Sequence, residues 1–174
     1  MRAMVTISEE ADVPRRGSDA EYAAGAPRPH HRRIRTVLLA TDLSPISAGA
    51  VNEAIDLCDA LGARLVIVNV IDMRQRVGLS LRPTDRANRV DQVRAEREAR
   101  LMAVVGLARP MGIDATFLVW TGEPGQSIVS AADAEGADLI VLGTRALDRA
   151  GRFLLGSVSD YVINYSACPV LVAR

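Results

Sequence analysis

The chain has no lysine, and all 21 of its basic residues are arginine. The absence of lysine excludes Schiff-base chemistry and the lysine of a Walker-type phosphate loop. Aromatic residues make up only 3% of the 174 residues, so a base-stacking surface for single-stranded nucleic acid is not expected. The basic residues are balanced by 21 acidic residues, and no net charge therefore favours nucleic acid or an anionic membrane as a partner.

Cysteines and long apolar runs are also scarce. Cys58 and Cys168 are too few for a disulfide scaffold, and both lie in apolar segments, so we expect buried, reduced thiols. No run of eighteen apolar residues is present, which predicts no membrane span. The N-terminus carries arginine and glutamate and lacks the apolar core of a signal peptide, so a cytoplasmic location is expected.

The composition changes near residue 33. Apolar residues make up 49% of the chain, enough for a sizeable core, and the length fits one domain. Residues 1–33 mix charged residues, proline, glycine and alanine without a sustained period, which predicts a flexible N-terminal extension. His30 and His31 fall in this extension, and no metal site is expected there because adjacent side chains point apart. We expect the folded domain to span residues 34–174.

From Thr36 onward, short apolar runs alternate with segments of helical period. A continuous apolar run is typical of a strand buried on both faces, and the alternation predicts a parallel sheet with helices on both sides. The predicted strands are 36–41, 65–71, 115–120, 138–142 and 169–173, with the four helices between them.

Capping residues and apolar stripes define the helices. Ser44-Pro45 is expected to begin the first helix, Gly62 to end it, and Thr84 to cap the second. The stripe of the second helix includes the stem of Arg97, and the stripe of the last helix includes Tyr165.

Special residues follow two of the predicted strands. In a doubly wound sheet, ligands bind beyond the carboxyl ends of the strands, where the winding direction reverses. Asp42, after the first strand, can accept hydrogen bonds from ribose hydroxyls or an adenine amino group, or it can cap the next helix together with Ser44. Gly143, at the end of the fourth strand, lets a ligand approach the backbone closely, or serves only in a turn.

The start of the last helix is a second candidate element. Gly156-Ser157 precedes an amphipathic segment, and the amides and partial positive charge of a helix N-terminus suit an anion. The alternative is that Ser157 is an ordinary cap. The preceding loop carries Arg145, Arg149 and Arg152 against one acid, Asp148, and these guanidinium groups either offset phosphate charge or are simply solvated.

These features together resemble the universal stress protein family, and specifically its ATP-binding branch. The resemblance covers residues 34–174. The family's nucleotide motif is G-x2-G-x9-G-[S/T], and this chain has Gly143-x2-Ala146-x9-Gly156-Ser157, with the spacing intact. The other segments that carry the resemblance are 37–44, 68–72, 122–124, 137–145 and 155–159 with 168–172.

The resemblance implies a fold and a set of ligand contacts. The implied fold is α/β, a three-layer Rossmann-like domain (adenine nucleotide alpha hydrolase-like) with a five-stranded parallel sheet in the order 3-2-1-4-5. Asp42 corresponds to the family's ribose and adenine carboxylate, Val70 packs against the adenine ring, and the motif residues surround the phosphates. The implied binding set is Ala40, Thr41, Asp42, Val70, Gly143, Arg145, Ala146, Gly156, Ser157, Val158 and Ser159.

Ala146 departs from the motif, which has glycine at this position. A Cβ costs about 1 kcal/mol or more where a positive φ is needed, and elsewhere its methyl group pushes a phosphate outward. We therefore predict that Ala146→Gly tightens ATP binding. Calorimetric titration of the two proteins checks this, and an unchanged or weaker affinity of the variant would contradict it.

The resemblance implies an ATP-binding regulator of the stress response, with Mg2+ accompanying the ATP. It also implies a homodimer paired through the last strand, Pro169 to Ala173. The folded region has no histidine and no lysine, so we expect no dedicated enzyme, only slow ATP hydrolysis. No nucleic acid or membrane partner is expected.

Three alternative functions compete with this interpretation, and the residues after the first strand disfavour the second of them. Ala146 is compatible with a UspA-type dimeric adaptor that binds no nucleotide. A related hydrolase or pyrophosphatase would carry a serine- and glycine-rich phosphate loop after the first strand, where this chain has Asp42-Leu43-Ser44-Pro45. A different adenine nucleotide, such as cyclic AMP, is equally compatible with the residues.

Overall fold

The computed structural model describes residues 33–72, 83–143 and 156–173, with only the backbone for 83–88. Short 3-10 turns at Pro45–Ser47 and Arg109–Met111 adjoin the first two helices. The elements in chain order are β1 (Thr36–Ala40), α1 (Ala48–Leu61), β2 (Arg64–Ile71), α2 (Pro83–Ala108), β3 (Ala115–Thr121), α3 (Pro124–Glu135), β4 (Leu139–Gly143), α4 (Ser157–Tyr165) and β5 (Val170–Ala173).

The strands form one parallel sheet in the order β3-β2-β1-β4-β5, which confirms the predicted topology. Strand β1 lies in the middle and pairs with β2 on one side and β4 on the other. Ala40 at the end of β1 lies opposite Val68 and Leu142, so the three strands end at the same edge. The winding direction reverses between β1 and β4.

Apolar cores cover both faces of the sheet. Val37 and Leu39 point to one face and pack with α1 and α2, whereas Leu38 and Ala40 point to the other and pack with α3 and α4. Because both faces are covered, the central strands need apolar residues at every position, and this is the physical reason for their continuous apolar runs.

The first helix begins later than the sequence predicts. Ser44 precedes the Pro45–Ser47 turn, but its side chain makes no capping bond, and α1 starts at Ala48. The Ser47 amide at the end of this turn bonds to the backbone carbonyl of Ser44 and not to its side chain. The predicted end at Gly62 is confirmed. This residue follows the last helical residue and has a φ of 62°, the left-handed conformation that glycine adopts readily.

Three further expectations need correction. Helix α2 begins at Pro83, whose fixed φ suits a first turn, so Thr84 is inside the helix and does not cap it. Tyr165 is 65% exposed, because it lies in the last turn of α4, where its ring stacks on Tyr161 with centroids 4.4 Å apart. Cys58 is buried as predicted, but Cys168 is only partly buried, because it precedes the edge strand β5.

In the parts of the chain that the structure describes, no helix is both long and apolar enough to cross a membrane. The predicted extension, residues 1–33, lies outside the described residues except for Arg33 and stays a prediction.

Candidate functional site: a cleft at the carboxyl edge of the sheet

A cleft of about 220 Å³ opens where β1, β2 and β4 end and α4 begins. It lies at the point where the winding direction reverses, which is the usual ligand position in such sheets. Nine of the eleven predicted site residues line it: Ala40, Thr41, Asp42, Val70, Gly143, Gly156, Ser157, Val158 and Ser159. The other two, Arg145 and Ala146, lie outside the described residues, and their placement stays a prediction.

The turn after β1 forms one wall of the cleft. The amide of Leu43 donates to Thr41 Oγ1 at 3.0 Å, and the amide of Ser44 donates to Asp42 Oδ1 at 3.0 Å. The Thr41 hydroxyl also lies 2.9 Å from the hydroxyl of Ser47. Leu43 has a φ of 61°, a left-handed conformation that is unfavourable for a residue with a side chain. Several hydrogen bonds thus hold the backbone around Asp42 in a strained conformation.

Two arginines of helix α2 bond to backbone carbonyls of the same turn. Arg97 Nη1 donates to the carbonyl of Asp42 at 3.0 Å, and Arg100 Nη2 donates to the carbonyl of Leu43. Arg97 is only 6% exposed and lines the cleft, so its whole side chain is buried and not only the stem that the apolar stripe suggested. The turn is therefore held both by side chains of its own segment and by guanidinium groups of α2.

The end of β2 contributes one residue to each side of the sheet. Asn69 is 2% exposed, and its Nδ2 donates to the carbonyl of Thr41 at 2.7 Å. Within the described ranges, no group bonds to its Oδ1, which is also buried. The half-buried Val70 points to the opposite face and packs with the core beneath α3 and α4, where it offers an apolar surface to the cleft.

Gly143 presents bare backbone to the cleft, although the fold itself does not require a glycine there. Its φ is not in the left-handed region, and a Cβ would approach Ser47 Cα no closer than 3.4 Å, an ordinary contact. Gly125 differs, since its Cβ would lie 2.8 Å from the ring of Tyr161. Glycine at 125 is thus explained by helix packing, whereas at 143 an added Cβ would meet only ordinary contacts with Ser47 and Ala50.

Helix α4 begins at the opposite wall. Gly156 precedes it in an extended conformation, with φ −69° and ψ 161°, and its carbonyl accepts the amide of Asp160. The first-turn amides of a helix have no partners within the helix, and the helix dipole places partial positive charge there. The residues that line the cleft at this point are Gly156, Ser157, Val158 and Ser159.

Charge is distributed unevenly along the cleft. Among the described lining residues, the carboxylates of Asp42, Asp72 and Glu123 follow β1, β2 and β3, and Arg97 is the cationic side chain beside them. The amides of Gly143 and α4 lie at the other end, where a bound anion is favoured. Within these same parts of the chain, no cluster of three or more histidine, cysteine, aspartate or glutamate side chains could hold a metal ion.

Comparison with known proteins identifies the family. The universal stress protein family model matches residues 33–174. The chain belongs to the universal stress protein family.

Relatives within this family agree along most of the chain. A universal stress protein of Thermus aquaticus is 38% identical over 145 residues, covering 81% of this chain and 99% of the relative. The solved universal stress protein UspA from Lactobacillus plantarum has a TM-score of 0.63 at 24% identity, covering 82% of this chain and 99% of that one. A universal stress protein solved in complex with cAMP has a TM-score of 0.61 at 29% identity, covering 82% and 98%.

Sequence reasoning missed several residues that line the cleft of this family member. Asn69 had a detectable signal, because a polar residue inside an otherwise apolar buried strand needs a specific partner. Asp72 follows β2 in the same way that Asp42 follows β1, so position relative to the strand could have indicated it. For Arg97, the neighbouring sequence gives no indication that its partner is the carbonyl of Asp42. The missed residues are Ser44, Ile46, Ser47, Val68, Asn69, Asp72, Arg97, Glu123, Pro124, Ile128 and Leu142.

Proposed function

We propose that this universal stress protein binds ATP in the cleft and acts as a nucleotide-dependent regulator of the stress response. One observation carries the proposal. The Asp42 turn and the first turn of α4 line the same cleft, together with Gly143 at the end of β4. Such a cleft has a hydrogen-bond acceptor at one end and anion-binding amides at the other, which matches the polarity of a 5′-phosphorylated nucleoside.

The adenosine would occupy the end of the cleft at β1 and β2. The Asp42 carboxylate would accept hydrogen bonds from ribose hydroxyls or the adenine amino group, beside the backbone of Ala40 and Thr41. Val70 would contact the base through its apolar surface. The relative that was solved with cAMP supports an adenine nucleotide as the ligand class for this cleft.

The phosphates would occupy the end at β4 and α4. Amides from Gly143 and the segment 156–159 would donate to phosphate oxygens, and Arg145 would offset their charge. Mg2+ would be held chiefly by phosphate oxygens and water, because the described residues offer no cluster of protein ligands.

We propose binding and not rapid turnover as the activity. The described residues that line the cleft include no histidine, lysine or cysteine, and its carboxylates follow β1, β2 and β3 and not β4 or α4, where the phosphates would lie, so ATP hydrolysis should be slow at most. Occupancy of the cleft by ATP would instead stabilise the folded state and change the surface that partners meet.

A non-nucleotide-binding dimeric adaptor is the second candidate, and Ala146 favours it. In either case we propose a homodimer that pairs through Pro169 to Ala173. All four residues of β5 are only partly buried, and β5 is an edge strand whose outer side has no neighbour among the described residues. An edge of this kind is suited to pairing with a second strand.

Thermal melting with and without Mg-ATP tests the proposal. Ligand at 100 times its Kd adds about 2.7 kcal/mol of stability, which raises the melting temperature of a domain this size by roughly 6–10 °C. Mg-GTP is the matched control, because it has the same phosphates and a different base. Freshly purified protein would also be heated to release any bound nucleotide, and chromatography would identify what is released.

ADP, AMP and cAMP titrated in parallel would distinguish ATP from other adenine nucleotides. An unchanged melting temperature at millimolar Mg-ATP, with no nucleotide released, would contradict the proposal and leave the adaptor.

A further inference from the structure

Arg97 is an unusual residue for its position. It lies in the middle of α2, among the apolar residues Val93 and Leu101 that pack onto the sheet, and yet it is only 6% exposed. A buried guanidinium needs specific partners, because burying a charge without them is costly. One partner is the carbonyl of Asp42, 3.0 Å from Arg97 Nη1.

The bond reaches the one turn that presents Asp42 to the cleft. The next residue, Leu43, has a φ of 61°, a conformation that a leucine keeps only when the surrounding structure supports it. Its amide is bonded to the Thr41 hydroxyl, and its carbonyl accepts a hydrogen bond from Arg100. Two successive carbonyls of the turn are therefore bonded to guanidinium groups one helical turn apart on α2.

The two arginines differ in their relation to the cleft. Arg97 is buried and lines it, whereas Arg100 is exposed and reaches Leu43 from outside. Arg94, one turn earlier on α2, bonds to a different strand end, since its Nη1 lies 3.5 Å from the carbonyl of Val119. Of these three arginines, only Arg97 bonds to Asp42, one of the residues whose carboxylates line the cleft.

We propose that Arg97 is a positioning residue for adenosine recognition. Through the Asp42 carbonyl it holds the turn in its strained conformation, and so fixes where the Asp42 carboxylate meets the ligand. This assignment rests on the proposed function of the cleft. It differs from a direct contact between Arg97 and the nucleotide, because its effect passes through Asp42.

A double-mutant cycle tests this assignment. Arg97→Met keeps the length and apolar stem of the side chain and removes the donor. In the parent protein it should weaken ATP binding about tenfold, the usual effect of losing one charge-assisted hydrogen bond. In an Asp42→Ala background it should weaken binding by less than about twofold, because positioning no longer matters once the carboxylate is gone. Titrations at up to millimolar Mg-ATP measure all four proteins.

Arg94→Met is the matched control, because it removes a guanidinium that bonds to a strand carbonyl elsewhere on the same helix. It should leave ATP affinity unchanged. Arg97→Lys retains one donor without the planar fork and should recover part of the affinity, which guards against a general loss of folding in Arg97→Met. Amide hydrogen exchange of residues 41–47 gives a readout without ligand. Exchange at Leu43 and Ser44 should be faster in Arg97→Met and unchanged in Arg94→Met.

Each outcome decides between the possibilities. Equal losses of affinity in both backgrounds would overturn the assignment and indicate direct contact with the nucleotide. Unchanged affinity and unchanged exchange in Arg97→Met would overturn it as well. If the parent protein bound no adenine nucleotide, the proposed function of the cleft would be overturned. If the parent bound ATP and Arg97→Met bound it equally well, only the assignment of Arg97 would be overturned.

Discussion

The two ends of the sheet use the same kinds of polar residue in different ways. At the amino end, Asp138 precedes β4, and its Oδ2 accepts the amides of Arg35 at 2.9 Å and Thr36 at 3.2 Å. Arg64, at the start of β2, bonds to Thr36 Oγ1 at 3.0 Å and to the carbonyl of Glu135 at 2.6 Å. These polar groups join neighbouring elements of the fold to one another.

At the carboxyl end, Asp42 follows β1, and its carboxylate accepts a hydrogen bond from the amide of Ser44 in the same turn. Asp42 also lines the open cleft. The buried Asn69 beside it bonds to the chain through Nδ2, with no partner for Oδ1 among the described residues. The difference shows that one residue type, aspartate beside a parallel strand, stabilises the fold at one end and faces a ligand-sized space at the other. Substitutions at the two ends should therefore affect different measured quantities.

Substitution of Gly143 should have the largest effect on the cleft. Gly143→Val should remove ATP binding, a loss of at least about 100-fold, because a branched side chain would press on Ser47, which also lines the cleft. Gly143→Ala should lose about tenfold in affinity while the free energy of unfolding stays within about 1 kcal/mol, since its Cβ meets only ordinary contacts. Calorimetry and urea unfolding measure the two quantities, and tight binding by Gly143→Val would contradict the cleft as the ligand site.

Exchanging the two aspartates for alanine should separate the two ends of the sheet. Asp42→Ala should weaken ATP binding about 100-fold and lower the free energy of unfolding by less than about 1 kcal/mol, because the amide of Ser44 can bond to water. Asp138→Ala should lower the free energy of unfolding by about 1–2 kcal/mol, because two backbone amides lose their acceptor, and should leave affinity unchanged. If both variants changed the same quantity, the comparison between the ends would be wrong.

Cys58 provides a pH test of the amino end. Its sulfur lies 3.8 Å from the carbonyl of Arg64, and burial raises the pKa of the Cys58 thiol from 9.0 to about 11. Between these pH values the unfolded chain releases the thiol proton and the folded chain keeps it, so stability falls as pH rises from about 9 to about 11. The loss should reach about 1–2 kcal/mol by pH 10.5 relative to pH 8, measured by urea unfolding.

Cys58→Ala should remove that part of the pH dependence, and Cys168→Ala, at a partly exposed position, is the matched control that should retain it. If the free energy of unfolding fell equally steeply with pH in the parent protein and in Cys58→Ala, the fold would not be raising the pKa of this thiol.

Deletion of residues 1–33 should have the smallest effect. The deleted segment joins the domain at the amino end, where the polar groups already bond to one another, so we expect a change in melting temperature within about 1 °C. Calorimetric melting of the full chain and the shortened chain measures this. A loss of several degrees would show that the extension docks on the domain and contributes to this end of the sheet.

Much of the fold follows from local sequence. The apolar run from Val37 to Ala40 predicts a strand buried on both faces, and Gly62 predicts the helix end at which the structure has a left-handed residue. The positions of Asp42, Gly143 and Gly156 relative to their strand or helix were enough to predict that they share one edge of the sheet. Parallel strands place their carboxyl ends together, so this inference needs only the order of the elements.

Other features depend on residues distant in the chain. Leu43 has no local signal for a positive φ, because leucine disfavours it and only the bonds around the turn sustain it. The late start of α1 also has no local signal, since the residues after Ser44 form a short 3-10 turn before the helix begins at Ala48. Tyr165 fits an apolar stripe, yet the end of α4 leaves it outside the core.

The sequence alone determined the alternation of strands and helices, the parallel sheet and the edge at which a ligand would bind, because these depend on local apolar periodicity and on the direction of the chain. Only the tertiary structure decided which side chains complete that edge. Arg97 and the carbonyl of Asp42 are 55 residues apart in the chain and 3.0 Å apart in the fold. A hydrogen bond of this kind depends on how helix α2 packs across the sheet, which no local pattern encodes.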